Sequence, residues 1–467
     1  MLQYGCYAYP ECENGEILAM SNEKKSHAVH RNGGFSSSVG FVIACVGSAV
    51  GLGNIWMFPY RLGEYGGAAF LIPYLLFVFL FGWVGLSAEF GIGRLAGTGT
   101  IGAYERCFAE RNPKLKRVGS IISWVPLMGS LGIAIGYAVI MGWVLNSLAG
   151  SLSGVLLQSD PSEFFQAAAV DFGNPLWHTV VVLIVCLVLM FGVTAGIEKV
   201  SKVLMPLFYV LFLALAVWVA TLSGAGEGYR FLLIPDWSKL LEPYTWVMAM
   251  GQAFFSLSIT GSGMIVYGAY LDKSADIPKA SIRTAIFDTM AAVLAALAIM
   301  PAVFAYNLDV ARGPSLMFVT LPTVFQQMPM GQLFAVFFFV SVMFAGLTSL
   351  INMFEAVAES WQSHFKLGRK PAVLICSALT LGVGIFMEAE ARVGAWMDFI
   401  TIVVVPIGAV MGAISVYYVL GWKKLRGELE CGRDKPVSKW FGPVGKYIYV
   451  PLTILVVILG FVFKGIG

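Results

Sequence analysis

Apolar residues dominate this chain in long unbroken runs, and its polar positions gather between the runs rather than alternating within them. Crossing about 30 Å of hydrocarbon at 1.5 Å rise per residue takes a helix of roughly 20 apolar residues. Eleven stretches meet that length, with cores near 38–59, 68–93, 121–150, 177–196, 203–223, 243–270, 284–306, 331–360, 371–388, 395–421 and 447–465. The pattern predicts an all-α membrane protein with eleven transmembrane helices. Two of the spans carry small and polar residues near their middles: Gly47-Ser48-Ala49-Val50-Gly51-Leu52-Gly53-Asn54 in the first, and Ser256-Leu257-Ser258-Ile259-Thr260-Gly261-Ser262-Gly263 in the sixth. Lipid offers backbone groups no hydrogen-bond partner, so a helix opens there only where the freed groups line a cavity. Matching interruptions five spans apart predict a five-plus-five inverted repeat, with helices 1 and 6 broken at mid-membrane around a shared site. Glycines also permit close helix packing, but two matched stretches that each carry Ser, Thr or Asn favour breaks.

This reading divides the chain into a cytoplasmic tail (1–34), a first repeat of spans 1 to 5 (35–223), a second of spans 6 to 10 (224–425), and an inner loop with accessory span 11 (426–467). The tail is polar and lacks the apolar core of a signal peptide. Of 30 Lys and Arg, 23 fall in segments that are inside when the N-terminus is inside, and six in the outer ones. Excess positive charge marks the cytoplasmic side, which predicts a cytoplasmic N-terminus and an outer C-terminus in a multi-pass cell-membrane protein. Composition agrees: 58% of the 467 residues are hydrophobic and 12% charged, against roughly a quarter charged in soluble domains. A net charge of +3 is too even to suggest nucleic acid. The seven cysteines lack metal-site spacing and read as thiols. Nothing in the sequence sets an oligomeric state.

Carboxylates inside spans are costly and mark ion paths. Four stand out: Asp288 in span 7, Glu89 in span 2, Glu355 in span 8 and Asp398 near the outer end of span 10. Span 7 offers Asp288 no Lys or Arg, so it needs a cation or a proton. Oxygens of Asn54, Ser256, Thr348 and Ser349 are candidates to complete a hard-cation shell. Half-helix ends at a break favour a carboxylate at their amide end and a cation at their carbonyl end, a pairing that a zwitterionic amino acid beside sodium satisfies. No phosphate loop occurs, and the four histidines lie outside or at the ends of spans. Enzyme chemistry and ATP-driven transport are therefore unsupported.

The run GSAVGLGNIWMFPY (47–60) with GGAAFLIPY (66–74), then Tyr137, GQAFFSLS (251–258) and FAGLTSLIN (344–352), resembles the neurotransmitter:sodium symporter family from about Phe35 onward. The resemblance implies a sodium-coupled importer working by alternating access, with two sodium ions. Site one would take Ala49, Asn54, Ser256 and Asp288; site two would take Gly47, Val50, Ala345, Thr348 and Ser349. Substrate contacts would come from Leu52, Gly53, Tyr137, Phe255, Ser258, Gly261, Ser349 and Met353.

Within the family, Gly51 stands where monoamine carriers have Asp, which favours a substrate with its own carboxylate. Gly261 and the adaptable Met353 replace bulkier or branched residues, implying a roomy pocket for hydrophobic or aromatic L-amino acids. Asp288 stands where many members have Asn, and Ala292 where others have Ser or Glu, implying chloride independence. Of the gates, Gln252 and Asp398 are present outside, but the usual Arg is Met57, with Arg61 a turn further on as a stand-in. Inside, the usual Arg and Trp align with Asn32 and Phe35 and their acidic partner with Ser363, leaving Arg31 and Glu359 as stand-ins. Gly196 and Pro206 bracket a segment of span 5 poised to unwind, because proline removes a helical hydrogen bond. Two other readings remain: a carrier of a betaine or taurine-like solute, and a receptor-like relative that moves nothing.

Overall fold

The computed structural model describes residues 34–308 and 314–463, and every regular element among them is helical. The N-terminal tail, with Arg31 and Asn32, lies outside the described residues. The main helices are α1 (Ser38–Ala49), α2 (Gly53–Glu64), α3 (Gly67–Ala96), α4 (Thr100–Arg111) and α5 (Pro113–Ser153). Next come α6 (Pro175–Met190), α7 (Val193–Val219), α8 (Pro243–Ser256), α9 (Gly263–Ala269) and α10 (Ile277–Ala305). The last four are α11 (Gly331–Phe365), α12 (Arg369–Met387), α13 (Glu390–Glu430) and α14 (Phe441–Val462). Eight of the described helices are long and apolar enough to cross a membrane, and α1 with α2, bent by 58°, would make a ninth. The 16-residue α6 and the interrupted α8 and α9 fall short of that length.

Local chemistry accounts for the helix ends. Ser37 caps α1 by accepting the Gly40 N–H at 3.0 Å, and Asp276 caps α10 by accepting that of Lys279 at 3.0 Å. Gly97, with φ +66°, closes α3 in the left-handed conformation that a glycine adopts without steric cost. Prolines start α6 and α8, where the first turn has no N–H to lose.

The long α11 runs against α5, α7 and α1, while α10 packs on α1, α2 and α7, so α1 is enclosed on several sides. α9 meets α3 backbone to backbone. A Cβ on Gly93 would fall 1.9 Å from Ile265 O, and one on Gly268 2.5 Å from Phe90 O. Small residues at such contacts replace the hydrophobic drive that lipid does not supply. Outward-facing side chains on α7 and α14, such as Val210, Val217, Ile458 and Phe461, are apolar and exposed.

One buried ion pair ties three parts of the chain together. Arg94 of α3 bonds Glu428 of α13 at 2.6 Å, their side chains 1% and 6% exposed. Arg94 also donates to Ala275 O at 2.7 Å, and Lys273 reaches Glu428 from solvent at 2.7 Å. Removing one partner of a buried pair costs roughly 3–5 kcal/mol, and without Arg94 the buried Glu428 keeps only the half-exposed Lys273. Arg94→Ala is therefore expected to lower the melting temperature in detergent markedly. Lys273→Ala, at a half-exposed position, is expected to cost under about 1 kcal/mol. Equal shifts for the two variants in a fluorescence melt would contradict this ranking.

Candidate functional site

The interruption between α1 and α2 spans Val50, Gly51 and Leu52, and that between α8 and α9 spans Leu257 to Ser262. Both are held open by named contacts. Ser258, at φ +52°, and Gly261, at φ +74°, take left-handed conformations in the second interruption; for a serine this is strained backbone. In the first, the Gly51 N–H donates to Asn54 Oδ1 at 3.0 Å and the Leu52 N–H to the Tyr137 hydroxyl at 3.0 Å. The glycines are sterically required. A Cβ on Gly51 would lie 2.7 Å from the Tyr137 hydroxyl, and one on Gly53 2.8 Å from the Phe255 ring.

Asn54, Ser256 and Asp288 meet here from three helices. The Asn54 amide donates to Asp288 Oδ1 at 2.8 Å and to Ser256 Oγ at 3.2 Å, and Ser256 Oγ–H donates to Asp288 Oδ2 at 2.6 Å. Asp288 is completely buried, and among the described residues no Lys or Arg pairs with it. A carboxylate so placed is expensive unless a cation or a proton joins it. The donor set is entirely hard oxygen apart from the Asn54 nitrogen, which suits an alkali or alkaline-earth ion rather than a transition metal.

A second cluster forms at the carbonyl end of α1. Ser349 Oγ lies 2.9 Å from Val50 O, 3.0 Å from Ser48 O and 3.3 Å from Gly47 O, so one hydroxyl proton faces three carbonyls. Thr348 Oγ1 donates to Ala345 O and Phe344 O, both at 3.0 Å. A Cβ on Gly47 would fall 2.9 Å from that of Thr348, so the glycine brings α1 onto α11. These unpaired terminal carbonyls carry the negative end of the α1 dipole, a natural seat for a cation.

Between the clusters lies a cavity with about 80 Å³ open to water centres; at ~10–15 Å³ each, it holds several waters. Ala49, Leu52, Gly53, Asn54, Tyr137, Phe255, Ser256, Ser258, Ser349 and Met353 line it. Asp288, Gly47, Val50, Ala345 and Thr348 stand behind that lining. Gly261 departs from its expected place as a substrate contact. It is packed against Gly408 O and the Tyr104 hydroxyl, with no room for a side chain, and its N–H donates to Glu89 Oε1 at 2.8 Å.

At one end Arg61, buried on α2 past Pro59, donates to Gln252 Oε1 at 3.0 Å. Asp398 is exposed and forms no ion pair among the described residues. At the other end Glu355, fully buried, receives both guanidinium nitrogens of Arg369 at 2.9 and 2.8 Å and the Tyr270 hydroxyl at 2.5 Å. Arg369 also donates to Leu189 O at 2.7 Å, tying α11, α12 and α6 together. The sequence pattern did not single out Arg369, because its partner is 14 residues away across a turn. Among the described residues, Ser363 bonds its own helix at Ser360 O, and Glu359 is buried with one oxygen without a partner. Phe35 packs edge-on to Tyr267 and Tyr270. The Gly196 to Pro206 segment is fully helical, widened to π turns over Val193–Glu198, a form frequent at functional positions. Glu198 in that segment accepts the Ser36 N–H at 2.6 Å and its hydroxyl at 2.5 Å, pinning the entry to α1.

Comparison with known proteins adds four findings. A family model described as the sodium:neurotransmitter symporter family matches residues 32–167 and 162–465. An uncharacterized sodium-dependent transporter of Bacillus subtilis (strain 168) is 32% identical over 447 residues, covering 92% of this chain and 97% of its own. The sodium-dependent nutrient amino acid transporter 1 of Drosophila grimshawi is 25% identical over 493 residues, covering 91% of this chain and 76% of its own. Among solved structures, that of MhsT in complex with L-phenylalanine superposes with a TM-score of 0.79 at 32% identity, covering 92% of this chain and 99% of that one.

The Arg369 clamp is testable. Arg369→Ala leaves the buried Glu355 with the Tyr270 hydroxyl but no cation, which should loosen the α11–α12 end and raise maleimide labelling of the buried Cys376 by about tenfold. Peptide mass spectrometry reads this site by site. An unchanged Cys376 rate would mean that the clamp does not hold that end shut.

Proposed function

Since the chain belongs to the sodium:neurotransmitter symporter family, we propose that it imports hydrophobic or aromatic L-amino acids with two sodium ions, without chloride, by alternating access. Sodium-dependent symport of a small molecule across a membrane is the family's property, and it is not an enzymatic activity. The finer reading rests on one observation above all: two oxygen clusters flank a single cavity at the interruptions, and one of them holds a buried carboxylate with no cationic partner.

In the proposed arrangement α1 with α2, and α8 with α9, are single spans broken at mid-membrane. With α6 counted as a span, eleven result, in a five-plus-five inverted repeat with α14 beyond it. The N-terminus is cytoplasmic and the C-terminus outside. Asn54, Ser256 and Asp288 with Ala49 O hold the first sodium, after a half-turn of the Asn54 amide brings its oxygen inward. Gly47, Val50 and Ala345 carbonyls with Thr348 and Ser349 hydroxyls hold the second. The substrate carboxylate lies by Leu52, Gly53 and Tyr137, and its side chain by Phe255, Ser258 and Met353. The Asp288 charge supplies the countercharge that chloride would otherwise bring. Because ions and substrate share the interrupted helices, each raises the affinity for the other. Each sodium entering at about 100 mV adds roughly 2.3 kcal/mol of driving force. MhsT with bound L-phenylalanine supports an aromatic substrate here by similarity alone.

Scintillation proximity binding of labelled L-phenylalanine to the purified chain tests this. Binding should require sodium and be indifferent to replacing chloride by gluconate, whereas absence of binding by any amino acid would favour a betaine or taurine-like solute. Asp288→Asn should raise the sodium requirement by at least about tenfold or introduce a chloride dependence. Unaltered sodium affinity without a chloride effect would remove Asp288 from the coupling.

A further inference from the structure

The cavity at the interruptions does not end beside Met353. It continues past Phe254 of α8 into the cleft between α13 and α14, where Ile402, Val405, Val456 and Gly460 line it. Every polar group proposed to grip an amino-acid head lies at the other end, at Leu52, Gly53 and Tyr137. Of the residues lining this arm only Thr401 is polar.

Gly460 is what leaves the arm open. Glycines in membrane helices usually let two backbones touch, and several here do so, Gly93 among them. At Gly460 the nearest atoms to an added Cβ are Ile402 O and Cγ2, at 3.8 and 4.0 Å. The missing side chain therefore leaves space rather than close contact. Val456, one turn earlier on the same face, is buried, while Leu455, Ile458 and Phe461 on the other faces are exposed. The terminal span, expected from the sequence to be accessory, thus contributes wall to the central cavity.

We propose that this arm is a side-chain subsite, so that the carrier accepts amino acids whose apolar side chain extends beyond one ring, with Gly460 and Val456 setting the reach. The proposal rests on the amino-acid reading above. It differs from a plain aromatic pocket in placing the specificity-determining residues on α14, far in sequence from the interruptions.

The test uses the purified full chain with sodium and labelled L-phenylalanine, displaced either by L-phenylalanine or by 4-butyl-L-phenylalanine. The butyl analogue should compete within about tenfold of phenylalanine, since each methylene in an apolar pocket is favourable. Gly460→Leu fills the arm and should weaken the butyl analogue at least ~tenfold while moving phenylalanine less than ~twofold. Gly460→Ala should give a graded, smaller loss and keeps the test readable where leucine prevents folding. Val456→Ala should improve the longer analogue. Equal effects of Gly460→Leu on both ligands, or none on either, would overturn the subsite, as would failure of the butyl analogue on the unaltered protein. Displacement by butylbenzene as effective as by the analogue would assign the arm to lipid-like molecules and also overturn it. Absence of any sodium-dependent phenylalanine binding would overturn the amino-acid reading itself, an outcome separate from loss of the long-analogue effect alone.

Discussion

A largely apolar chain whose backbone leaves the helix between α1 and α2 and between α8 and α9 must answer the hydrogen bonds given up there, and this constraint shapes the centre of the protein. The partners come from distant sequence. Tyr137 of α5 takes the Leu52 N–H, Glu89 of α3 takes that of Gly261, and Ser349 of α11 faces the last carbonyls of α1. Each contact fixes one helix against an interruption, and together they bring α1, α3, α5, α8 and α11 around one cavity. The glycines at 47, 51 and 53 follow from the same demand, since a side chain at any of them would collide with Thr348, Tyr137 or Phe255.

The buried charges divide into two kinds. Arg94 with Glu428 and Arg369 with Glu355 are paired, the first joining α3 to α13 and the second α12 to α11. Such pairs contribute little net stability but are costly to break from one side, so they resist partial separation of the helices they join. Asp288 belongs to the other kind. Its neighbours are an amide and a hydroxyl, which temper a negative charge without neutralising it. A group left in that condition couples to whatever cation arrives, which sets Asp288 apart from the ion-paired Glu355 and Glu428.

The two ends of the cavity are built differently. Arg61 donates to the Gln252 amide oxygen, and Arg369 makes a bidentate ion pair with Glu355 in a buried setting. Charge-assisted bidentate bonds are roughly twice as strong as neutral ones. The end at α12 is held by that bidentate pair. Its further ties are the Glu198 contact to the entry of α1 and the ring cluster of Phe35 with Tyr267 and Tyr270.

Hydrophobic period and length determined the all-helical membrane class, because apolar runs near twenty residues have few other solutions. Clusters of glycine with Ser, Thr or Asn lie where the backbone leaves the helix at 50–52 and 257–262, and Asp288 stands out as an acid without Lys or Arg in its own span. These are local properties, visible in a single segment. What the tertiary structure alone decided is which remote residues answer them. Arg369 clamps Glu355 from the next helix; Gly261 serves backbone packing rather than the cavity; and Gly460 leaves space where most described glycines remove it. Such assignments depend on distances between helices that are far apart in sequence, and the pattern within one helix carries no information about its neighbour's side chains.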